Sequence, residues 1–242
     1  MAEQDSHRQH ISGQFNQELE TATAHMLEMG GLVEKQVLAA LSALLELDSG
    51  EAQAVMELDK AINAREVEID DECFRILARR QPAAGDLRLV LAISKVLNDL
   101  ERIGDESSRI ARQAIALSEQ AEDVPARPWT QKIAAVVTDM LRSALDAFAR
   151  RDARAALAVA RGDEEIDAQM AGAMTALAAT MRDKPEHVEA CITAMWALRS
   201  FERIGDHARN IAEYVIYMVE GVDVRHIELD AVLDLLPPLS RE

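Results

Sequence analysis

The sequence predicts an all-α protein built as two tandem, internally duplicated antiparallel three-helix bundles. The composition is that of helices. Ala, Leu, Glu and Arg are abundant, aromatics make up 3%, and 242 residues contain only six prolines and ten glycines. Apolar residues recur at helical spacing through six long stretches. The chain also repeats itself. Asp99-Leu100-Glu101-Arg102-Ile103-Gly104-Asp105 is answered by Ser200-Phe201-Glu202-Arg203-Ile204-Gly205-Asp206 at a spacing of 101 (202 minus 101), and Ile110-Ala111 by Ile211-Ala212.

The first helix is expected over about residues 14–47, where Leu27, Val33, Val37, Leu41, Leu44 and Leu45 mark a core face. Asp48-Ser49-Gly50 is turn chemistry and supplies an N-cap for a second helix over 51–80. Pro82 ends it, and a third helix runs over 87–118. Pro125 and Pro128 bracket a linker. The second half repeats the plan at 129–150, 153–181 and 186–219, stopping near Gly221. Asp48 to Ile62 aligns with Asp152 to Ile166 at a spacing of 104 (152 minus 48), so the duplication reaches beyond the third helices. Helices near thirty residues are roughly 45 Å long at about 1.5 Å per residue. Three such rods with short connections make an antiparallel bundle. The expected domains are 10–120 and 127–221, followed by a tail over 222–242. Leu229, Val232, Leu233 and Leu236 in that tail are expected to pack on its own bundle.

Forty-three acids against twenty-six Lys plus Arg leave a net charge of −17. Such a surface repels phosphate backbones, so no nucleic acid partner is expected, whereas metal cations or basic patches on a protein are suited to it. Residues 1–8 are polar with no apolar segment behind them, and no apolar run is long enough to span a bilayer. Cys73 and Cys191 each stand alone in an apolar helical pattern, which reads as small buried thiols in a reduced, cytoplasmic compartment. Contact with a membrane is expected only through partners.

The repeated feature is polar. At about 100° per residue, Glu101 and Asp105 share one helix face, as do Glu202 and Asp206. Paired carboxylates repel by a few tenths of a kcal/mol in an exposed helix, so their repetition suggests a compensating cation. Arg109 and Arg209 could supply it, which is the bland reading. The second helices favour metal. Asp59, Asn63, Glu66 and Asp70 form a polar stripe about 60° wide, and Asp163 and Asp167 begin its shorter counterpart, continued by Met170 and Met174. Oxygen ligands from two helices suit hard or borderline divalent ions and carboxylate-bridged iron. The face of Glu202 and Asp206 continues to Asn210 and Glu213, that of Glu101 and Asp105 to Arg109 and Arg112, so the second copy is expected to be the stronger site. Gly104 and Gly205, mid-helix, imply close approach by a neighbouring helix or a ligand. His207 points about 100° away from Asp206 and is a weak candidate ligand. No Glu-x-x-His occurs, which speaks against a ferritin-like di-iron oxidase. Neither a Gly-rich phosphate loop nor a dinucleotide motif is present, and no nucleophile has a plausible base, so no enzyme activity is expected.

Several segments resemble the PhoU family of phosphate-transport regulators. They are His10-Ile11-Ser12-Gly13-Gln14-Phe15-Asn16, Met29-Gly30-Gly31, Arg80-Gln81-Pro82 with Asp86-Leu87-Arg88, and the paired Glu-Arg-Ile-Gly-Asp motifs. The resemblance covers about residues 9–229. It implies two three-helix bundles with multinuclear metal sites at (Glu/Asp)-x-x-x-Asp motifs, which Glu101/Asp105, Asp163/Asp167 and Glu202/Asp206 match. The fourth position reads Asp59-x-x-x-Asn63, a departure for which Glu66 and Asp70 are the substitutes. The metal would be iron, zinc, manganese or magnesium. The resemblance further implies a cytosolic negative regulator, an adaptor between the ATPase subunit of the phosphate ABC transporter and a phosphate-sensing histidine kinase, and a homodimer is expected. The alternative from another class is a metal-storage or metal-dependent oxidase bundle. A third is a purely structural coiled-coil scaffold, in which the duplicated acids are surface decoration.

Overall fold

The computed structural model describes residues 2–120, 123–225, 227 and 231–233, with side chains from residue 13 onward except that of Asp163. Helices α1 (Ala2–Glu46), α2 (Ser49–Arg80) and α3 (Ala84–Gln120) form the first bundle. The second comprises α4 (Arg127–Arg150), α5 (Ala153–Ala160), α6 (Asp163–Asp183) and α7 (Val188–Glu220), with a 3-10 turn at Pro185–His187 leading into α7. Among the described residues there is no strand.

The duplication extends to hydrogen bonds. Asp48 caps α2 by accepting from the backbone N–H of Gly50 (2.8 Å) and Glu51 (3.0 Å). Asp152 caps α5 in the same way, from Arg154 (3.0 Å) and Ala155 (2.9 Å). Gln81, in the left-handed region at φ 49° and ψ 55°, closes α2 just before Pro82. Two elements differ from expectation. Helix α1 starts at Ala2 rather than near 14, because no proline interrupts its polar first turns. The expected helix over 153–181 is two helices, since Gly162 closes a tight turn onto the Val159 carbonyl at 2.9 Å. A β-carbon at Gly162 would stand 3.0 Å from Met140 Sδ of α4, so glycine lets α4 approach the bend.

Val33, Val37 and Leu44 are fully buried as expected, while Leu27, Leu41 and Leu45 sit at the edge of the core. Cys73 and Cys191 are buried free thiols, and burial pushes Cys73 up to about 12. In the tail, Val232 is fully buried and Leu233 exposed; Leu229 and Leu236 lie outside the described residues. No described helix is long and apolar enough to cross a membrane.

The most extensive helix pairing, α3 with α7, joins the bundles. The two run antiparallel. Arg88 Nε donates to the Met218 carbonyl at one end (3.3 Å), and Thr193 Oγ1 bonds Gln120 Oε1 at the other (2.9 Å). Between them lie two buried carboxylates. Asp99 accepts from Asn210 Nδ2 (3.1 Å), bonds His207 Nδ1 (2.7 Å), and holds the Tyr214 hydroxyl. Burial and the Asp99 charge push Tyr214 up to about 12. Glu106 is held by Arg109 (2.6 Å) and, across the interface, by Arg203 (2.8 Å).

Candidate metal centre

Helix α3 sets Glu101 and Asp105 one turn apart, facing α2 and bridged by half-exposed Arg102, which stands 3.3 Å from Glu101 and 3.6 Å from Asp105. Burial raises the Glu101 carboxyl above its ordinary range, and the Asp105 and Asp59 charges add to the rise against the pull of Arg102 and His207. Glu66 is raised in the same sense, by burial first and then by Glu101 and Asp70, with Arg102 opposing. Asp59, Glu66, Asp70, Glu101 and Asp105 therefore share one electrostatic neighbourhood between α2 and α3. Asp70, at its outer end, accepts from Ser94 Oγ at 2.9 Å.

The floor of this neighbourhood is Gly104. A β-carbon there would stand 3.0 Å from Asp59 Oδ1 and 3.2 Å from Gln36 Oε1. Gln36, from α1, is fully buried and gives its amide nitrogen to Asp59 Oδ1 (3.1 Å) and the Val55 carbonyl (3.3 Å). Its Oε1 has no hydrogen-bond partner, and neither has the buried Oδ1 of Asn63, one turn after Asp59. Among the described residues no three His, Cys, Asp or Glu side chains stand close enough to hold one ion. Any cation here needs these amide oxygens beside the carboxylates. The donor set fits that task, being all oxygen, partly buried, net negative, and supplied with acceptors that lack donors.

Gln36 is the residue that motif reading misses, because it belongs to no acidic pattern. Its signal is a lone amide in the apolar row Val33, Gln36, Val37, Ala40, whose other members are fully buried.

The second repeat is arranged differently. The space over Gly205 faces hydrocarbon, with Ile166 Cδ1 at 2.5 Å and Val137 Cγ2 at 3.6 Å from a β-carbon. Glu202 pairs with Arg199, while Asp167 and Asp206 are exposed; the side chain of Asp163 lies outside the described residues. Asn210 and Glu213 do not extend this site. Asn210 is turned to Asp99 of α3, and Glu213 is buried against Arg209 at 3.1 Å. The reason is packing: α7 lies along α3, so that arc of α7 belongs to the joint between bundles. The two residues expected to strengthen the second copy thus stand apart from Glu202 and Asp206. In the first copy, Arg109 pairs with Glu106 instead of Asp105. His207 is committed to Asp99. Met170 and Met174, where the first repeat has Glu66 and Asp70, line an apolar groove of about 400 Å³ with Ile192, Met195 and Trp196.

A family model described as the PhoU domain matches residues 26–114 and again 130–215, one match in each bundle. This chain belongs to the PhoU family. It is 54% identical over 229 residues to the phosphate-specific transport system accessory protein PhoU homolog of Pseudomonas aeruginosa, covering 95% of each chain. With the PhoU accessory protein of Escherichia coli K12 it shares 42% over 227 residues, covering 93% of this chain and 94% of that one. The crystal structure of PhoU from Pseudomonas aeruginosa superposes with a TM-score of 0.83 at 53% identity, over 86% of this chain and 100% of the other. PhoU from Streptococcus pneumoniae gives 0.79 at 29%, over 87% and 99%. The duplicated three-helix architecture is thus the PhoU architecture.

Proposed function

We propose that the chain is a non-enzymatic negative regulator of phosphate signalling and uptake. In this reading it is an adaptor between the ATPase subunit of the phosphate ABC transporter and a phosphate-sensing histidine kinase. It acts from the cytoplasm as a homodimer and carries divalent metal at its acidic motifs. The observation behind it is the match of both bundles to the PhoU domain, together with relatives named as accessory proteins of phosphate-specific transport over nearly their full length. The net charge of −17 supports a protein partner with basic patches over a nucleic acid. The oxidase alternative loses its nearest histidine, since His207 is engaged with Asp99.

Deletion of the gene is the direct test. Phosphate-starvation genes should be expressed in phosphate-rich medium in the deletion strain and silenced again by the restored gene. Normal repression in the deletion strain would remove the regulatory assignment.

The residues proposed to hold metal are Asp59, Asn63, Glu66, Asp70, Glu101 and Asp105 in the first repeat, and Asp163, Asp167, Glu202 and Asp206 in the second. A divalent ion in the first set would offset the mutual repulsion of Glu66, Glu101 and Asp105. Given the geometry, Glu101→Ala with Asp105→Ala should lower bound metal more than Glu202→Ala with Asp206→Ala. Elemental analysis after dialysis checks this. A greater loss from the second pair would restore the ranking read from the sequence, and no loss from either would leave the acids as surface charge.

A further inference from the structure

The amide of Gln36 can adopt only one orientation. Both neighbours of its nitrogen, the Val55 carbonyl and Asp59 Oδ1, are acceptors, so exchanging nitrogen for oxygen would set oxygen against oxygen. Its Oε1 is thereby aimed into the space above Gly104, beside Asp59 Oδ1, with no donor to meet it. Asn63 Oδ1 is buried and unpartnered one turn along α2. A buried carbonyl oxygen without a partner is costly, and a protein normally satisfies it with a ligand, a water or an ion. Both side-chain atoms left open here are acceptors, the kind of group a cation satisfies.

The internal duplication supplies a comparison. At the same place over Gly205 the second repeat has Val137 and Ile166, whose Cδ1 fills the space; in the 104-residue register that sets Asp48 against Asp152, Gln36 is answered by Met140 and Val33 by Val137. The same bundle therefore folds with hydrocarbon in this position, so packing does not require the amide in the first repeat.

We propose that Gln36 Oε1, with Asp59 and Asn63, forms a buried ligand set that makes the first repeat take a hard, oxygen-seeking divalent cation of the Mg²⁺ or Mn²⁺ type. This rests on the metal reading above and adds α1 to a site otherwise built from α2 and α3. Neutral amide oxygens mixed with carboxylates are ligands for hard cations, and the set contains no nitrogen or sulfur ligand to favour zinc. Among the described residues the second repeat has no amide over Gly205.

The test is an Mn²⁺ titration of the chelator-stripped full chain, followed by electron paramagnetic resonance, with helicity checked by circular dichroism. Gln36→Val, which sets hydrocarbon there as Val137 does over Gly205, should weaken Mn²⁺ binding at least tenfold without loss of helix. Gln36→Glu keeps an oxygen in place and should bind Mn²⁺ at least as tightly as wild type. If Gln36→Val binds Mn²⁺ like wild type while Glu101→Ala with Asp105→Ala does not, this inference is overturned and the metal reading stands. A wild-type chain that binds no Mn²⁺, Zn²⁺ or Fe²⁺ overturns both. Should Gln36→Val lose helix, Gln36→Glu decides alone, and a tenfold weaker affinity in that variant overturns the assignment.

Discussion

Phe201→Ala should destabilise the protein by about 4 kcal/mol, in the range of large-to-small substitutions at fully buried aromatic positions. Phe201 has no solvent exposure, and neither have Leu198, Ile204 and Ala208 on the same stretch of α7. Truncation removes the whole ring from the core face of α7, a helix that packs on α3, α4, α5 and α6. Collapse around the vacancy would be small, because each of those helices is also anchored elsewhere. Phe201→Leu should cost only about 1 kcal/mol. The equivalent position in the first bundle, 101 residues earlier, is Leu100, which is also fully buried. Urea denaturation followed by circular dichroism at the helix band measures both variants. A loss below about 1 kcal/mol for the alanine variant would mean that α7 is not the keystone of the second core.

Asp99→Ala should cost about 3 kcal/mol, although it deletes no apolar surface. Asp99 is 6% exposed and is the shared acceptor for His207, Asn210 and Tyr214. Its removal leaves three donors facing a gap at the joint between bundles, and each buried unpaired donor costs about 1–3 kcal/mol before water relieves it. His207 is partly accessible, so some relief is available and the total falls below three full penalties. Asp99→Asn keeps one acceptor oxygen and should recover about half of the loss. Thermal unfolding of the three proteins at one pH checks the order. An alanine variant as stable as wild type would show that the joint is carried by its apolar contacts alone.

Of the six expected helices, all but the one over 153–181 were legible as single elements, because helix signals are local. The 3.6-residue period, the caps at Asp48 and Asp152 and the stop at Pro82 each act within a few residues. The break at Gly162 was missed because glycine inside a helical pattern is usually tolerated. What marks it here is the closeness of Met140 from α4, which leaves little room for a β-carbon and which no local pattern records. The two glycines of the repeated motif show the same limit. Sequence marked Gly104 and Gly205 as places of close approach without saying by what. The structure sets polar Asp59 and Gln36 closest over the first, with Ile62 farther at 3.7 Å, and only apolar Ile166 and Val137 over the second.

The acidic motifs follow the same division. That Glu101 and Asp105 share a face is a matter of helical angle and needed no coordinates. That the Asn210 amide is spent on Asp99 follows from α7 packing along α3, a contact between residues about a hundred positions apart. The sequence by itself determined the helical class, the duplication, the family and the acidic residues, because periodicity, caps and repeats are written along the chain. Only the tertiary structure decided which copy gathers oxygen donors, because Gln36 reaches that site across α1 from within an apolar row. Such convergence depends on how three helices lean together, and no spacing along one helix encodes it.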